Sequence, residues 1–581
     1  MGVKSFIIED GLALAKSEIR DEVKHLFDIT KLHRDKRARD ALLGQVRAVV
    51  VTFLARTRPA DADIGVLTNG DAIGQAVLIT FPAFNRSRKV ETRSYVYEAT
   101  MRLPSKRRPA PPPCDCVASA GGGQPAAPRA QEDPYEELLN NHVPVSRFLP
   151  IWVHHAGSER RLEFRATYFC QQNGVSSICG HCAVRMLVRT SSETKLTVPK
   201  LNEDWRYKGS SRSTVSSSDI RRALQKCQLE VKSYRFDHRA SQNHEDPPGG
   251  GARAAGGHTA EQIWNRLSQM AESGVPALFI HSSESRRNDH VVPIFGHTFN
   301  SDEWHPIAST RHRNGNSTTA LSTSWVDHLV IHDDLLGPYY CLSRAGLRLA
   351  KSPSRAPAGV AGAAAGSAAP TGFQQLIKKL LPGDHQPGKS LHPKKLLVVV
   401  PKNVSRSPID IEAQARQRLA YVERIILEQG LTVQGRWWDL FNDRRERRVL
   451  RTILITKAEY MESLWRYHTA GGRIFIDTLT ADQRAFSEAL NLVLPEKFWV
   501  TEVSLPNMLL ASRSKLGEFL IDPSRNPRND EELARAIYAF RMPSLLGINY
   551  DDAEGRSQFA INHWPEHDLR PILGVRNKNI W

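Results

Sequence analysis

Two tracts decide how this chain can fold. Residues 102–132 run from Arg102 through Lys106, Arg107 and Arg108 into Pro109–Pro113 and then glycine, alanine and proline; residues 351–372 are dominated by alanine, glycine, proline and serine. Neither holds enough apolar surface to offset the entropy of ordering its backbone, so both read as linkers. A third stretch, 240–258, with Pro247 and Pro248 leading into three glycines, reads as a surface loop inside a folded unit. At 581 residues the chain is also too long for one core. The expected organisation is an N-terminal α+β unit (1–101), a linker (102–132), a middle unit (133–350), a second linker (351–372) and a C-terminal mixed α/β unit (373–581), with no repeat between units.

Periodicity fills in the units. The first shows a helical pattern over Leu12–Leu26 and strands around Val46–Leu54, Gln75–Phe81 and Thr92–Glu98. In the middle unit, helices are expected over Ser218–Gln228 and Thr259–Met270. Strands follow over Val275–His281, His290–Phe299 and Leu329–Asp334, enough for an antiparallel sheet. The last unit alternates strands (Leu396–Val400, Arg451–Thr456, Arg473–Asp477) with helices (Ile411–Glu428, Asp530–Arg541).

A formal charge of +17 and a pI near 9.6 favour an acidic partner, whether nucleic acid or an acidic protein. No apolar stretch approaches the roughly 18 residues of a membrane helix, and the first twenty residues mix acids with bases, unlike a signal peptide. Seven scattered cysteines do not form a secreted disulfide framework. A cytoplasmic protein with reduced thiols and no membrane contact is expected.

Chemistry concentrates between Tyr168 and Ala183. There a strand gives way to the polar loop Gln171-Gln-Asn-Gly-Val-Ser-Ser177 and then to Ile178-Cys-Gly-His-Cys182 at the start of a helix. A cysteine at a helix N-terminus meets unsatisfied amides and the positive end of the macrodipole, which favour the thiolate that a sulfur nucleophile needs. Upstream, Gln172, or Asn173 beside it, carries an amide able to join the Cys179 N–H around an oxyanion. His290 opens a later apolar strand and is the expected base. His297 at its other end is the rival, and an offset of seven residues sets the two on opposite faces of a regular strand. Asp333 is the expected orienting acid, with Asp334 and Asn300 as alternatives.

These residues and their order resemble the papain-like cysteine peptidases, nearest to the group that processes double-glycine leader peptides. In that group a glutamine precedes a Cys-Gly at a helix start, a histidine opens an apolar strand with a glycine a few residues on, and an aspartate ends a later strand. Gln172, Cys179-Gly180, His290 to Gly296 and Val330 to Asp333 match in turn. The resemblance covers roughly a third of the chain. It implies a papain-like domain with a nucleophile helix on an antiparallel sheet, acting on a peptide or protein through a Cys179 thioester, with His290 as base, Asp333 orienting it, Gln172 at the oxyanion, and neither cofactor nor metal.

Other readings compete, first among them a non-catalytic binding or scaffold protein that keeps the papain-like shell and engages nucleic acid through its basic surface. Cys179-Gly-His-Cys182 matches the tetrapeptide of disulfide isomerases, though a polar loop stands where that fold runs an apolar strand. Cys170, Cys179, His181 and Cys182 are zinc-ligand types without a familiar spacing. Gly383 to Ser390 spells a P-loop, but no strand leads into it. Arg436-Trp-Trp438 through Arg451 is basic with interleaved aromatics, as single-stranded nucleic-acid surfaces are; a solvated helix face is the expected account.

Overall fold

A computed structural model describes residues 4–10, 41, 44–55, 63–84, 90–103, 105–107, 135–137, 141–172, 178–205, 215–236, 260–283, 289–300, 319–347, 391–428, 439, 448–464, 466–468, 474–476, 481–512, 514–524, 527, 532, 535–543, 545–551, 557–563 and 572–573. They form a mixed α+β protein dominated by three antiparallel sheets.

The first sheet contains β1 (Ser5–Asp10), β2 (Arg47–Leu54), β3 (Ala72–Phe84), β4 (Val90–Arg102), β5 (Arg147–His155) and β6 (Ser158–Phe169), in the order β1-β2-β3-β4-β6-β5. Alternation drives it: β5 buries Leu149, Ile151 and Val153 and leaves Phe148 and Trp152 exposed. Edge strands β1 and β5 touch, so the sheet curls round a core that includes Ile7, Leu54, Ile151 and Phe164. The expected helix over Leu12–Leu26 lies outside the described residues.

The middle unit opens with α1 (Cys179–Ser191), α2 (Val198–Asp204), α3 (Ser217–Lys226), β7 (Glu230–Arg235), α4 (Ala260–Glu272), β8 (Ala277–Ser283), β9 (His290–Phe299), β10 (Val326–Asp333) and β11 (Gly337–Ser343). With β12 (Leu391–Val400) these strands form a second sheet, β7-β12-β8-β9-β10-β11, joined at β9 by Asn141–His142. One face, including Leu278, Ile280, Val291 and Val399, packs against α1, α2 and α3. The other, including Phe279, Val292, Ile294 and Val398, packs against α4 and the C-terminal half.

That half contains α5 (Pro408–Glu428), β13 (Arg448–Thr456), α6 (Lys457–Ser463), α7 (Ala481–Val493), β14 (Lys497–Ser504), α8 (Pro506–Ser512), β15 (Gly517–Ile521), β16 (Ile537–Met542), β17 (Leu545–Asp551) and β18 (Ser557–His563). Thr319–Leu321 pairs parallel with β13, and β13 to β18 follow in sheet order. Of the helix expected over Asp530–Arg541, the described residues Glu532 and Arg535 are helical, and from Ile537 the chain is strand β16 instead. The alternation of Ile537, Ala539 and Arg541 with their neighbours is satisfied from both sides, by β15 and β17.

The three sheets cross the boundaries drawn from composition. β5 and β6 lie beyond the first tract yet complete the first sheet, where Ala166–Phe169 pairs with Ala99–Arg102. β12 lies beyond the second tract and inserts between β7 and β8. The tract 102–132 also begins inside structure. Buried Arg102 ends β4 and donates to the carbonyls of Ala72 (2.8 Å) and Asn69 (2.6 Å), and Ser105–Arg107 pairs with Tyr135–Glu137. Composition reports where a chain cannot order itself alone; it does not report which strands pair across the gap.

A line of buried charges ties the middle unit to the C-terminal sheet. Glu272, at the end of α4, meets both His297 of β9 and Arg451 of β13. Arg451 also pairs with Glu502 (3.0 Å), Glu502 with Lys515 (3.2 Å), Lys515 with Glu518 (2.6 Å), and Glu518 with Arg541 (2.5 Å) and the Tyr460 hydroxyl (2.9 Å). Arg448 and Arg451 therefore belong to a buried strand, which corrects the expectation that they lie on a solvated helix face.

Candidate active site

The site forms where two strands part. β9 pairs with β8 from His290 to Ile294, but its pairing with β10 begins only at Ile294 opposite Ile331. Pro293 is tolerated in this central strand because it falls in the stretch that β10 does not pair. A further irregularity between Ile331 and Asp333 turns the end of β10. His290 and Asp333 sit on the two diverging ends and meet across the gap: His290 Nε2 is 3.2 Å from Asp333 Oδ2 and 3.5 Å from Asp334 Oδ1. All three side chains are buried.

Cys179 comes to this pair from α1. The helix packs against β9, its N-cap residue Ile178 gives no side-chain hydrogen bond, and Cys179 is its first residue. The opening amides thus lack a capping side chain from Ile178 and present positive potential beside the sulfur. The half-buried Cys179 side chain lies near enough to the His290 ring to favour its charged form. With Nε2 turned to the acids, Nδ1 is the nitrogen left for the sulfur.

The electrostatics follow from this enclosure. Burial on its own would push the His290 ring down. The Asp333 and Cys179 hydrogen bonds and the charges of Asp334 and Asp333 outweigh it and hold the ring up at about 10. Asp333 is held well below the usual carboxylate range. Burial opposes this, but the bond and charge of His290 and the amides of Leu335 (2.8 Å) and Leu336 (3.2 Å) prevail. Asp333 thus shapes the turn with Oδ1 and faces the imidazole with Oδ2.

Gln172 enters through its backbone, donating its N–H to the Asp334 carbonyl at 3.4 Å. Gln171 holds the same loop from the other side: its N–H donates to Val96 O (2.8 Å) and its Oε1 accepts from Val96 N (3.1 Å). Asn173, the other oxyanion candidate, lies outside the described residues.

His297 and Asn300 stand elsewhere. A register shift between Ile294 and Gly296 breaks the alternation of β9, so the expected argument from opposite faces does not apply. Distance along the strand separates the two positions instead, roughly 23 Å at about 3.3 Å per residue. His297 is paired with Glu272, while Asn300 donates to Asp327 Oδ2 at 2.9 Å.

Comparison with family models, curated proteins and solved structures gives no match to this chain.

The competing readings of the cysteine motif fare differently. The buried Cys182 thiol is pushed well up by its hydrogen bond with Cys170 and by burial, and the five described cysteines are all free. His181 bonds Asn202 Oδ1 at 2.7 Å and meets Trp205 edge-on, and the four zinc-ligand types form no donor cluster among the described residues. The clustered donors there are His290, Asp333 and Asp334, within 4.8 Å of one another. In this trio His290 turns Nε2 to both carboxylates, an arrangement that favours the charged form of the ring. Residues 383–390 lie outside the described residues.

Sequence reasoning did not foresee that Asp333 and Asp334 both face the ring, nor that Gln171 clamps the loop. Two adjacent acids at a strand end were the available sign for the first. A glutamine imitating a strand residue leaves none.

Proposed function

We propose that this chain is a cysteine-dependent hydrolase of papain-like type that cleaves an amide bond in a peptide or protein. The observation that carries this reading is the line Cys179, His290, Asp333: a helix-start sulfur, a buried imidazole near enough for the sulfur to favour its charged form, and a carboxylate 3.2 Å from the ring's Nε2. In this scheme Cys179 Sγ adds to the carbonyl carbon. The Cys179 N–H and the Gln172 amide receive the oxyanion, and His290 gives its Nδ1 proton to the departing amine. Water, deprotonated by the same nitrogen, then hydrolyses the thioester and restores the thiolate–imidazolium pair. Asp333 keeps the ring turned with Nδ1 toward the sulfur.

The charge of +17 favours acidic substrates or partners, and salt-sensitive binding would report them. Incubation of the full chain with a defined peptide mixture tests the hydrolase reading. Cleavage present in wild type and absent in a folded Cys179→Ala variant supports it; equal cleavage, or none in either, contradicts it.

A further inference from the structure

We infer that Asp334 is a second positioning acid of His290, whose carboxylate steadies the imidazole while its main chain holds the loop that precedes the nucleophile. The purpose assigned to it rests on the hydrolase reading; the contacts themselves do not.

Asp334 is 1% exposed, and its Oδ1 is 3.5 Å from His290 Nε2. Its carbonyl accepts the Gln172 N–H at 3.4 Å, and the next residue back, Gln171, is clamped to Val96 of β4. One residue thereby joins the base, the expected oxyanion loop and, through that loop, the first sheet. Asp333 does not make it redundant. Two backbone amides already draw on Asp333 Oδ1, leaving one oxygen of that residue for the ring.

The ionisable groups facing His290 are Asp333 and Asp334 from the end of β10, Cys179 from α1, and His281 from β8, whose ring lies edge-on at 5.5 Å. Two neighbouring carboxylates repel each other, and a cation between them relieves that repulsion. Asp334 therefore sets how far toward alkaline pH the imidazolium persists, and with it the proton the leaving group needs.

The test is an NMR titration of His290 in full-length protein labelled at histidine, alongside the pH profile of Cys179 alkylation by iodoacetamide. Asp334→Asn keeps the carbonyl that holds Gln172 and removes only the charge. In wild type the ring should stay protonated to about pH 10. In Asp334→Asn its midpoint should fall by about one pH unit or more, and the alkylation profile should move with it. Asp334→Glu should retain the high midpoint.

A midpoint unmoved in Asp334→Asn, with only thermal stability reduced, would make Asp334 a merely structural acid and overturn the inference. A wild-type midpoint near the ordinary value of about 6.5 would overturn it even if the variants do not fold. Neither readout requires turnover, so failure of the hydrolase reading would appear separately, in the peptide-cleavage assay.

Discussion

His290 Nε2 and Asp333 Oδ2 stand 3.2 Å apart at the ends of β9 and β10, beyond the last paired residues Ile294 and Ile331, and both side chains are buried there. Had pairing continued past Ile294, a ladder would occupy the gap in which they meet. The same divergence lets α1 bring Cys179 to the ring, so strand irregularity, nucleophile helix and acid-bearing turn create a single site.

Stability should depend on pH through this pair. The folded His290 value, about 10, lies above its ordinary 6.5, so protonation favours the folded chain. That contribution is complete below about 6.5 and is lost as pH rises toward 10. Asp333, held low, contributes above the ordinary carboxylate value of 3.8 and loses its contribution as pH falls below it. Urea unfolding should show the midpoint declining from pH 7 to 10, and declining less in His290→Gln; identical slopes would contradict the pairing.

Removal of Asp333 should harm rate more than affinity. Asp333→Ala frees the ring and loosens the Leu335–Leu336 turn, and kcat/KM should drop by about 10²–10⁴-fold, carried mainly by kcat. Asp333→Asn retains one oxygen for both tasks and should fall between wild type and alanine. A loss confined to KM would point to substrate contact instead of orientation.

The sequence carried the elements of the site better than their surroundings. Strands 275–281, 290–299 and 329–334 emerge within a few residues of β8, β9 and β10, because long runs of buried aliphatic residues admit little else. A helix starting at Cys179 was legible from the loop before it. Partner choice was not: β12 and β8 are over a hundred residues apart, and nothing local marks Val398 for Ala277. Nor did the arginine run disclose that Arg451 is buried, since its neutralising acids, Glu272 and Glu502, are supplied by distant elements.

Glu272 should be the most costly single truncation away from the site. Glu272→Ala removes a buried carboxylate that meets both Arg451 and His297, a loss of about 3–5 kcal/mol by chemical denaturation. Adding Arg451→Met should recover part of that loss, because it removes the buried cation that Glu272 helps to neutralise. A double variant as unstable as the sum of the singles would show that the two residues are not coupled.

The central claim is that the Cys179 sulfur is activated by the His290 ring, and site-resolved alkylation tests it most directly. With iodoacetamide at pH 7 and peptide mapping, Cys179 should react on the order of a hundredfold faster than Cys170 or Cys182, and His290→Ala should remove most of that advantage. Slow and equal labelling of all three cysteines, unaffected by His290→Ala, would contradict the account.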